Sequence, residues 1–283
     1  MLVREFLKKQ EISKVALTDI KFGGGDILVN NVSVTVRYVL REGDVLKVLF
    51  PPEKRSDDLL SENIPLHIVY EDAYLLVINK PPFMSTIPSR DHPTSSLANA
   101  LLYYYEQKNI QSTVHIVNRL DRDTSGLLIV AKHRYTHHLF SKQQKVREIH
   151  RRYEAFVHGQ IKQDCGTIQA PIGRKEDSII EREVREDGQD AVTHFEVLAR
   201  YKGFVHVSLK LETGRTHQIR VHMSHLGHPL LGDDLYGGKR ELIARQALHS
   251  TELSFTHPIT KENLHFEISL PEDMMSLNKD VFY

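Results

Sequence analysis

Residues 118–132, NRLDRDTSGLLIVAK, set Asp121 between Arg119 and Arg122, add Asp123, and then run into an uninterrupted apolar stretch. Flanking guanidinium groups favour the ionised form of a carboxylate. That suits a nucleophile or charge stabiliser better than a general acid. Two neighbouring acids also invite a glycosidase reading, but glycosidase pairs usually converge from separate elements. On these residues alone an ion-paired turn is the better reading. A second cluster shifts the balance. LETGRTHQIRVHMSHLGHPLLGDDLYG, residues 211–237, reads as a helix with Thr213 as N-cap and Gly214 allowing close backbone approach. Ile219, Met223 and Leu226 recur on one face. Arg215 falls in the first turn and Arg220 about one turn further, so the helix start is a place for an anion.

Other chemistries find less support. His217, His222, His225 and His228 are crowded, yet they form no HExxH pattern and no cysteine joins them; no metal site is expected. There is no GxxxxGK[ST] loop, the glycines at 23–25 lack dinucleotide-binding spacing, and no GxSxG elbow occurs, so no cofactor is expected. Cys165, the single cysteine, lies in a loop-like QDCGT. It excludes an intramolecular disulfide and fits a reducing compartment. Arg4 and Glu5 stand where an export signal would be apolar, and no apolar run spans a bilayer, so a cytoplasmic location without membrane contact is expected. The chain shows no heptads, and a monomer is expected.

The 37 basic and 37 acidic residues cancel. Any surface for a polyanion must therefore be local. KQQKVREIHRR, residues 142–152, offers Lys142, Lys145, Arg147, Arg151 and Arg152 against Glu148. On charge alone it is a solvated helix face.

These side chains need elements to hold them. Residues 51–65, PPEKRSDDLLSENIP, read as a linker. Before it, residues 1–50 predict a helix with Val3, Phe6 and Leu7 on one side. A second helix is capped by Ser13 and faces inward through Val15, Ala16 and Ile20. Strands follow at 27–29, through the Val32, Val34, Val36 alternation, and after REGD. From residue 66 to 283 the pattern predicts a hairpin turning at Glu71–Asp72 and a helix capped near Ser95 or Ser96. GLLIVAK is a buried strand, a helix from Arg134 follows, and strands dominate from Tyr153 onward. This is a mixed, largely antiparallel α+β domain.

Four segments together resemble the RluA-type family of RNA pseudouridine synthases: LLVINKPPFMSTIPS, NRLDRDTSGLLIVAK, HRRYEAFVHG and TGRTHQIRVHMSHLGHPLLGD. They occur in family order between about residues 66 and 270. Residues 1–50, through ISK, IKFGGGDILVNN and LREGDVLKV, resemble a small RNA-binding domain found in a small-subunit ribosomal protein. The resemblance implies that Asp121 is the nucleophile, that Tyr153 packs on the target base and that Arg220 pairs with Asp121. Arg119 would hold the flipped nucleotide. RNA contacts would further enlist Arg215, His217 and Gln218, Lys145, Arg151 and Arg152, and Lys14 and Lys21 of the small domain. Family members often have histidine at Asn118 and lysine at Arg151. Ribosomal RNA is the favoured partner, with transfer RNA as the other candidate. The alternatives are an RNA or nucleoside glycoside hydrolase and a non-catalytic RNA-binding protein.

Overall fold

The N-terminal helices form where apolar spacing places them. In the computed structural model, which describes residues 1–55, 58–89 and 92–280, helix α1 (Val3–Lys9) buries Val3 and Leu7. Residues 56 and 57 of the expected linker and 90, 91 and 281–283 of the expected second domain lie outside the described residues. Ser13 caps α2 (Lys14–Phe22), its Oγ accepting from the Ala16 amide at 3.1 Å. Ile20 is buried, but Val15 is 72 % exposed. Five residues along an α-helix turn the side chain about 140° past a full turn, so Val15 points away from Ile20.

Strands β1 (Asp26–Val29), β2 (Val32–Ser33) and β3 (Leu46–Leu49) form an antiparallel sheet in the order β2-β1-β3. The expected strand through Val36 ends early, at Ser33. Beyond it the carbonyls of Val36 and Tyr38 turn to the free amides of Arg4 and Val3 at the start of α1, at 3.0 and 2.9 Å. Val3, Leu7, Ile20, Ile27 and Val29 form a core of their own, against which Tyr135 packs from the larger unit.

The segment after this unit is anchored. Arg55 donates to Glu106 at 3.1 Å and to the Ile110 carbonyl at 3.0 Å. The Glu53 carboxylate accepts from the Arg134 amide at 2.9 Å and the Thr113 hydroxyl at 3.1 Å, and faces His115. Burial raises its pKa, but the bonds from His115 and the Arg134 amide outweigh it and hold Glu53 at about 2, below its ordinary 4.5. A depressed carboxyl stabilises the fold fully above its unfolded pKa, and the gain is lost as pH falls through the folded one. Glu53→Gln is therefore expected to remove about 3 kcal/mol of the stability change between pH 4.5 and pH 2. Chemical denaturation across that window checks this; an unchanged acid limb would refute the role of Glu53.

The larger unit contains β4 (Ile68–Glu71), β5 (Leu75–Lys80), α3 (Leu97–Gln107), β6 (His115–Ile116), β7 (Ser125–Ala131) and α4 (Arg134–Lys145). There follow β8 (His150–His158), β9 (Cys165–Gln169), β10 (Ile172–Arg174), β11 (Arg182–Val184), β12 (Val192–Tyr201) and β13 (Phe204–Leu211). The chain continues through α5 (Gln218–His225), β14 (Leu248–Thr256), β15 (Asn263–Glu267) and α6 (Glu272–Met275). Ten strands make one mixed, largely antiparallel sheet, β4-β5-β7-β14-β8-β13-β12-β9, with β15 on β14 and β6 on β7. Strands β10 and β11 form a separate hairpin.

Only β7 and β14 run parallel among these pairs, touching at Ser125–His249 and Gly126–Ser250. Ser250 also lies opposite Tyr153 on β8. One row across the sheet thus links Tyr153 to Gly126, just past Asp121. Gly126 has φ +113°, and a Cβ there would sit 2.3 Å from the Ser250 carbonyl oxygen, so glycine is required. Every residue of β7 is buried. Leu128 and Val130 pack in a core with Leu97 and Leu101 of α3 and Ile219 and Met223 of α5. Leu127 and Ile129 face Phe140 of α4 in another.

Helix α5 begins later than its sequence suggests. His217 is the N-cap, in the left-handed region at φ 58°, and Arg215 lies before the helix. The buried Gln218 amide explains the delay. Its Oε1 accepts from Thr213 Oγ1 at 2.8 Å and the Arg215 amide at 2.9 Å, while Nε2 donates to Val192 O at 3.0 Å. Those bonds tie residues 213–217 into a loop. Leu226, expected on the buried face, is exposed at the helix end.

Candidate active site

The loop before β7, the segment after α4 and the loop before α5 enclose a cavity of about 1090 Å³. Among the described residues, seven lysines and arginines, including Arg119, Lys145, Arg151 and Arg215, line it against three acidic residues. A chain of zero net charge thus concentrates positive potential around Asp121.

Asp121 sits at the start of a tight turn whose Thr124 amide donates to its carbonyl at 3.1 Å. Thr86 Oγ1 donates to Leu120 O at 2.6 Å and accepts from Leu120 N at 3.2 Å, which staples the residue before it. Lys80 Nζ, fully buried at the end of β5, donates to the carbonyls of Arg122, Pro81 and Met84 at 3.1, 2.8 and 2.8 Å. Burial lowers its pKa to about 7, against the opposing pull of Asp121 and Asp123. Arg245 Nη1 holds the Asp123 carbonyl at 3.0 Å. The Asp123 side chain pairs with Arg122 next to it, at 2.9 Å.

Arg220, on the first turn of α5, donates from Nη1 to Asp121 Oδ2 at 3.1 Å. Its Nε and Nη2 grip Asp233 in a fork, at 2.7 and 2.8 Å, and its guanidinium lies 4.9 Å from the centre of the Tyr236 ring. Burial opposes the charge on Arg220, but Asp233 and Asp121 outweigh it and raise its pKa. Asp233 is itself buried. The guanidinium is therefore fixed from one side and offers its other edge to Asp121.

His217 approaches the same carboxylate, Nε2 to Oδ2 at 3.8 Å. Its Nδ1 lies 2.7 Å from the Tyr236 hydroxyl, which accepts from the Arg182 amide at 2.9 Å. That hydroxyl is then free to donate to Nδ1, which puts the proton of a neutral His217 on Nε2, facing Asp121. Burial lowers the His217 pKa despite Asp121 and favours the neutral ring. Burial likewise raises Tyr236 to about 12, so it stays a phenol.

The remaining expected residues divide. Tyr153 is only 4 % exposed and lies off the cavity wall, in the apolar cluster that contains Leu120 and Ile219, the neighbours of Asp121 and Arg220. Arg119 is exposed on the wall; Arg215 also lines it and donates from Nε to Asp190 O at 2.9 Å. Gln218, expected to touch RNA, faces inward because its amide is occupied by the loop. The 142–152 stretch is not one free basic face: Lys142 pairs with Glu11 at 3.2 Å, Arg152 with Glu252 at 3.1 Å, and Arg147 with Glu212. Lys145 and Arg151 remain for the cavity, Arg151 lying against the backbone of Gly214. Lys14 and Lys21 are exposed on α2 and do not line the cavity. Among the crowded histidines, His222 is buried against Thr193 Oγ1 and Ala170 O, both at 2.9 Å.

Sequence reasoning passed over Lys80, Thr86, Asp233 and Tyr236. The signals were a lysine closing an apolar strand before two prolines, and GDDLYG just beyond the arginine helix.

An acid held against a buried arginine in a basic cavity marks an enzyme for an anionic substrate, and sequence relatives name the class. Residues 74–225 match the family described as RNA pseudouridylate synthase, and the chain belongs to it as an RluA-type member. It is a pseudouridine synthase, an isomerase whose substrate is RNA. The Bacillus subtilis protein named uncharacterized RNA pseudouridine synthase YjbO is 57 % identical over 279 residues, 99 % of each chain. Ribosomal large subunit pseudouridine synthase D of Pseudomonas aeruginosa is 40 % identical over 89 % of this chain and 83 % of its own. The solved structure titled human RNA pseudouridylate synthase domain containing 1 superposes with a TM-score of 0.61 at 29 % identity, over 72 % of this chain and 83 % of that one.

Proposed function

We propose that this enzyme isomerises specific uridines of large-subunit ribosomal RNA, with Asp121 as the nucleophile. The observation that carries the reading is the Asp121 carboxylate, gripped at 3.1 Å by an arginine that Asp233 immobilises, inside a cavity large enough to admit a nucleotide and its neighbours. The carboxylate attacks the ribose C1′ as the bond to uracil N1 breaks. The freed base turns, its C5 bonds to C1′ and displaces the carboxylate, C5 loses a proton and N1 gains one. Nothing is oxidised or reduced. Tyr153 supports the base from the apolar layer behind the loop, and Arg119, Lys145, Arg151 and Arg215 meet phosphates at the mouth. Residues 1–50 serve as an RNA-anchoring domain through Lys14 and Lys21.

The choice of ribosomal RNA is supported by the names of relatives such as the Pseudomonas protein. Carbodiimide mapping of total RNA from cells with and without the gene tests it. At least one large-subunit pseudouridine is expected to disappear with the gene. Loss confined to transfer RNA would overturn the target, and free uracil in place of pseudouridine would favour a hydrolase.

A further inference from the structure

His217 is strained in a way that its place in the helix does not require. It is the N-cap of α5 at φ 58°, a left-handed conformation that costs a histidine free energy, yet its side chain makes no capping bond. The ring is turned to the carboxylate instead, with Nε2 3.8 Å from Asp121 Oδ2. Arg220 Nη1 reaches that same oxygen at 3.1 Å. Tyr236, on the short 3₁₀ turn Asp234–Tyr236, contacts both donors: its hydroxyl lies 2.7 Å from His217 Nδ1, and its ring meets the Arg220 guanidinium. Tyr236 is itself held at three points. Its hydroxyl accepts from the Arg182 amide of β11, its amide donates to the Asp233 carbonyl at 3.1 Å, and its carbonyl accepts from Ser224 Oγ of α5 at 2.8 Å.

We propose that His217 is a second, uncharged positioning residue for Asp121: its Nε2–H, fixed in that tautomer by the Tyr236 hydroxyl, joins Arg220 on Oδ2 and turns Oδ1 toward the ribose C1′. A carboxylate held by one donor swings about that bond, whereas two donors on one oxygen set its plane. The 3.8 Å gap is longer than a hydrogen bond, and such contacts tighten once substrate fills a site. The ring has to be neutral. Attack on C1′ discharges the carboxylate, so a second full positive charge beside it opposes the step. The charged groups facing the ring come from every side: Asp121 from the loop before β7, Arg220 from α5, Asp233 from the segment after it and Arg182 from β11. The two acids and the two arginines oppose each other, and burial tips the ring to neutral. The proposal rests on Asp121 being the nucleophile and is independent of which RNA is the substrate.

The test is the single-turnover rate of the full chain, read by tritium release from C5 on a stem-loop RNA whose uridine the wild type converts. It is measured from about pH 5 to about pH 8, the range in which a histidine titrates. His217→Ala is expected to slow the step by about 100-fold, the scale of one lost donor, with RNA affinity by filter binding unchanged. His217→Gln returns an N–H near the place of Nε2 but cannot be protonated. It is expected to recover most of that rate and to lack the acid limb of the wild type. Tyr236→Phe removes a bond that favours the neutral ring, so the His217 pKa rises. Its acid limb is expected to move to higher pH by about half to one unit, and adding His217→Gln is expected to abolish the shift. An acid limb that persists in His217→Gln would overturn the proposal, as would a limb that stays in place or moves to lower pH in Tyr236→Phe. So would a glutamine variant as slow as the alanine variant. An Asp121→Asn variant that still converts uridine would strike the nucleophile reading itself; an inactive one beside unaltered His217 and Tyr236 profiles would strike only the role of His217.

Discussion

Replacing Asp121 with asparagine is expected to reduce pseudouridine formation by about 10⁴-fold or more, the scale seen when a group that acts in the covalent step is removed, while RNA affinity holds or rises slightly. On the proposed mechanism the two readouts part because the carboxylate serves chemistry and not binding. The wall around it is positive, and deleting one negative charge inside that wall strengthens its pull on phosphates. The fold survives because Arg220 keeps its fork to Asp233 and the turn is held through backbone groups by Thr86, Lys80 and Arg245. Tritium release from uridine C5 reports turnover, and filter binding of the same RNA reports affinity. A variant that still converts uridine would dismiss Asp121 as the nucleophile, whereas one that loses turnover and binding together would make it a structural group of the RNA site.

What the sequence made legible was the local clustering of charge that depends on residue type within a short window. Asp121 among arginines and Arg220 on an apolar-faced helix stand out locally, and the fold brings them to 3.1 Å. Strand β7 was equally plain, since a continuous apolar run has to be buried on both faces. What stayed hidden depends on partners distant in the chain. Thr213 looked like an N-cap by type, but the side chain of Gln218, the first helical residue, holds it in a loop and the helix starts only at residue 218. Lys142, Arg147 and Arg152 looked like one basic face until Glu11, Glu212 and Glu252 arrived from three remote segments to pair with them. Lys80 matters because the turn after Asp121 folds back over the end of β5, and only the strand order reveals it.

Asp233 is the clearest of these hidden parts, and its removal is expected to have the second largest effect. The Arg220 side chain is nearly buried, and two of its three hydrogen bonds go to Asp233. Asp233→Ala leaves that guanidinium with Asp121 as its one acid partner among the described residues. Breaking a buried pair from one side costs about 3–5 kcal/mol of stability. The catalytic loss has a separate cause. Without the fork the guanidinium is free to turn and take both oxygens of Asp121, which would hold the proposed nucleophile out of line, and a misplacement on that scale costs about 100-fold in rate. Because Asp233 has no place on the cavity wall, kcat is expected to fall while KM changes little. Asp233→Asn, which returns one acceptor to the fork, is expected to recover part of both losses. Steady-state kinetics and urea unfolding on the two variants decide the matter: lost stability with an unchanged kcat would make Asp233 a packing group, whereas a fall in kcat partly restored by asparagine makes it the residue that aims Arg220 at the nucleophile.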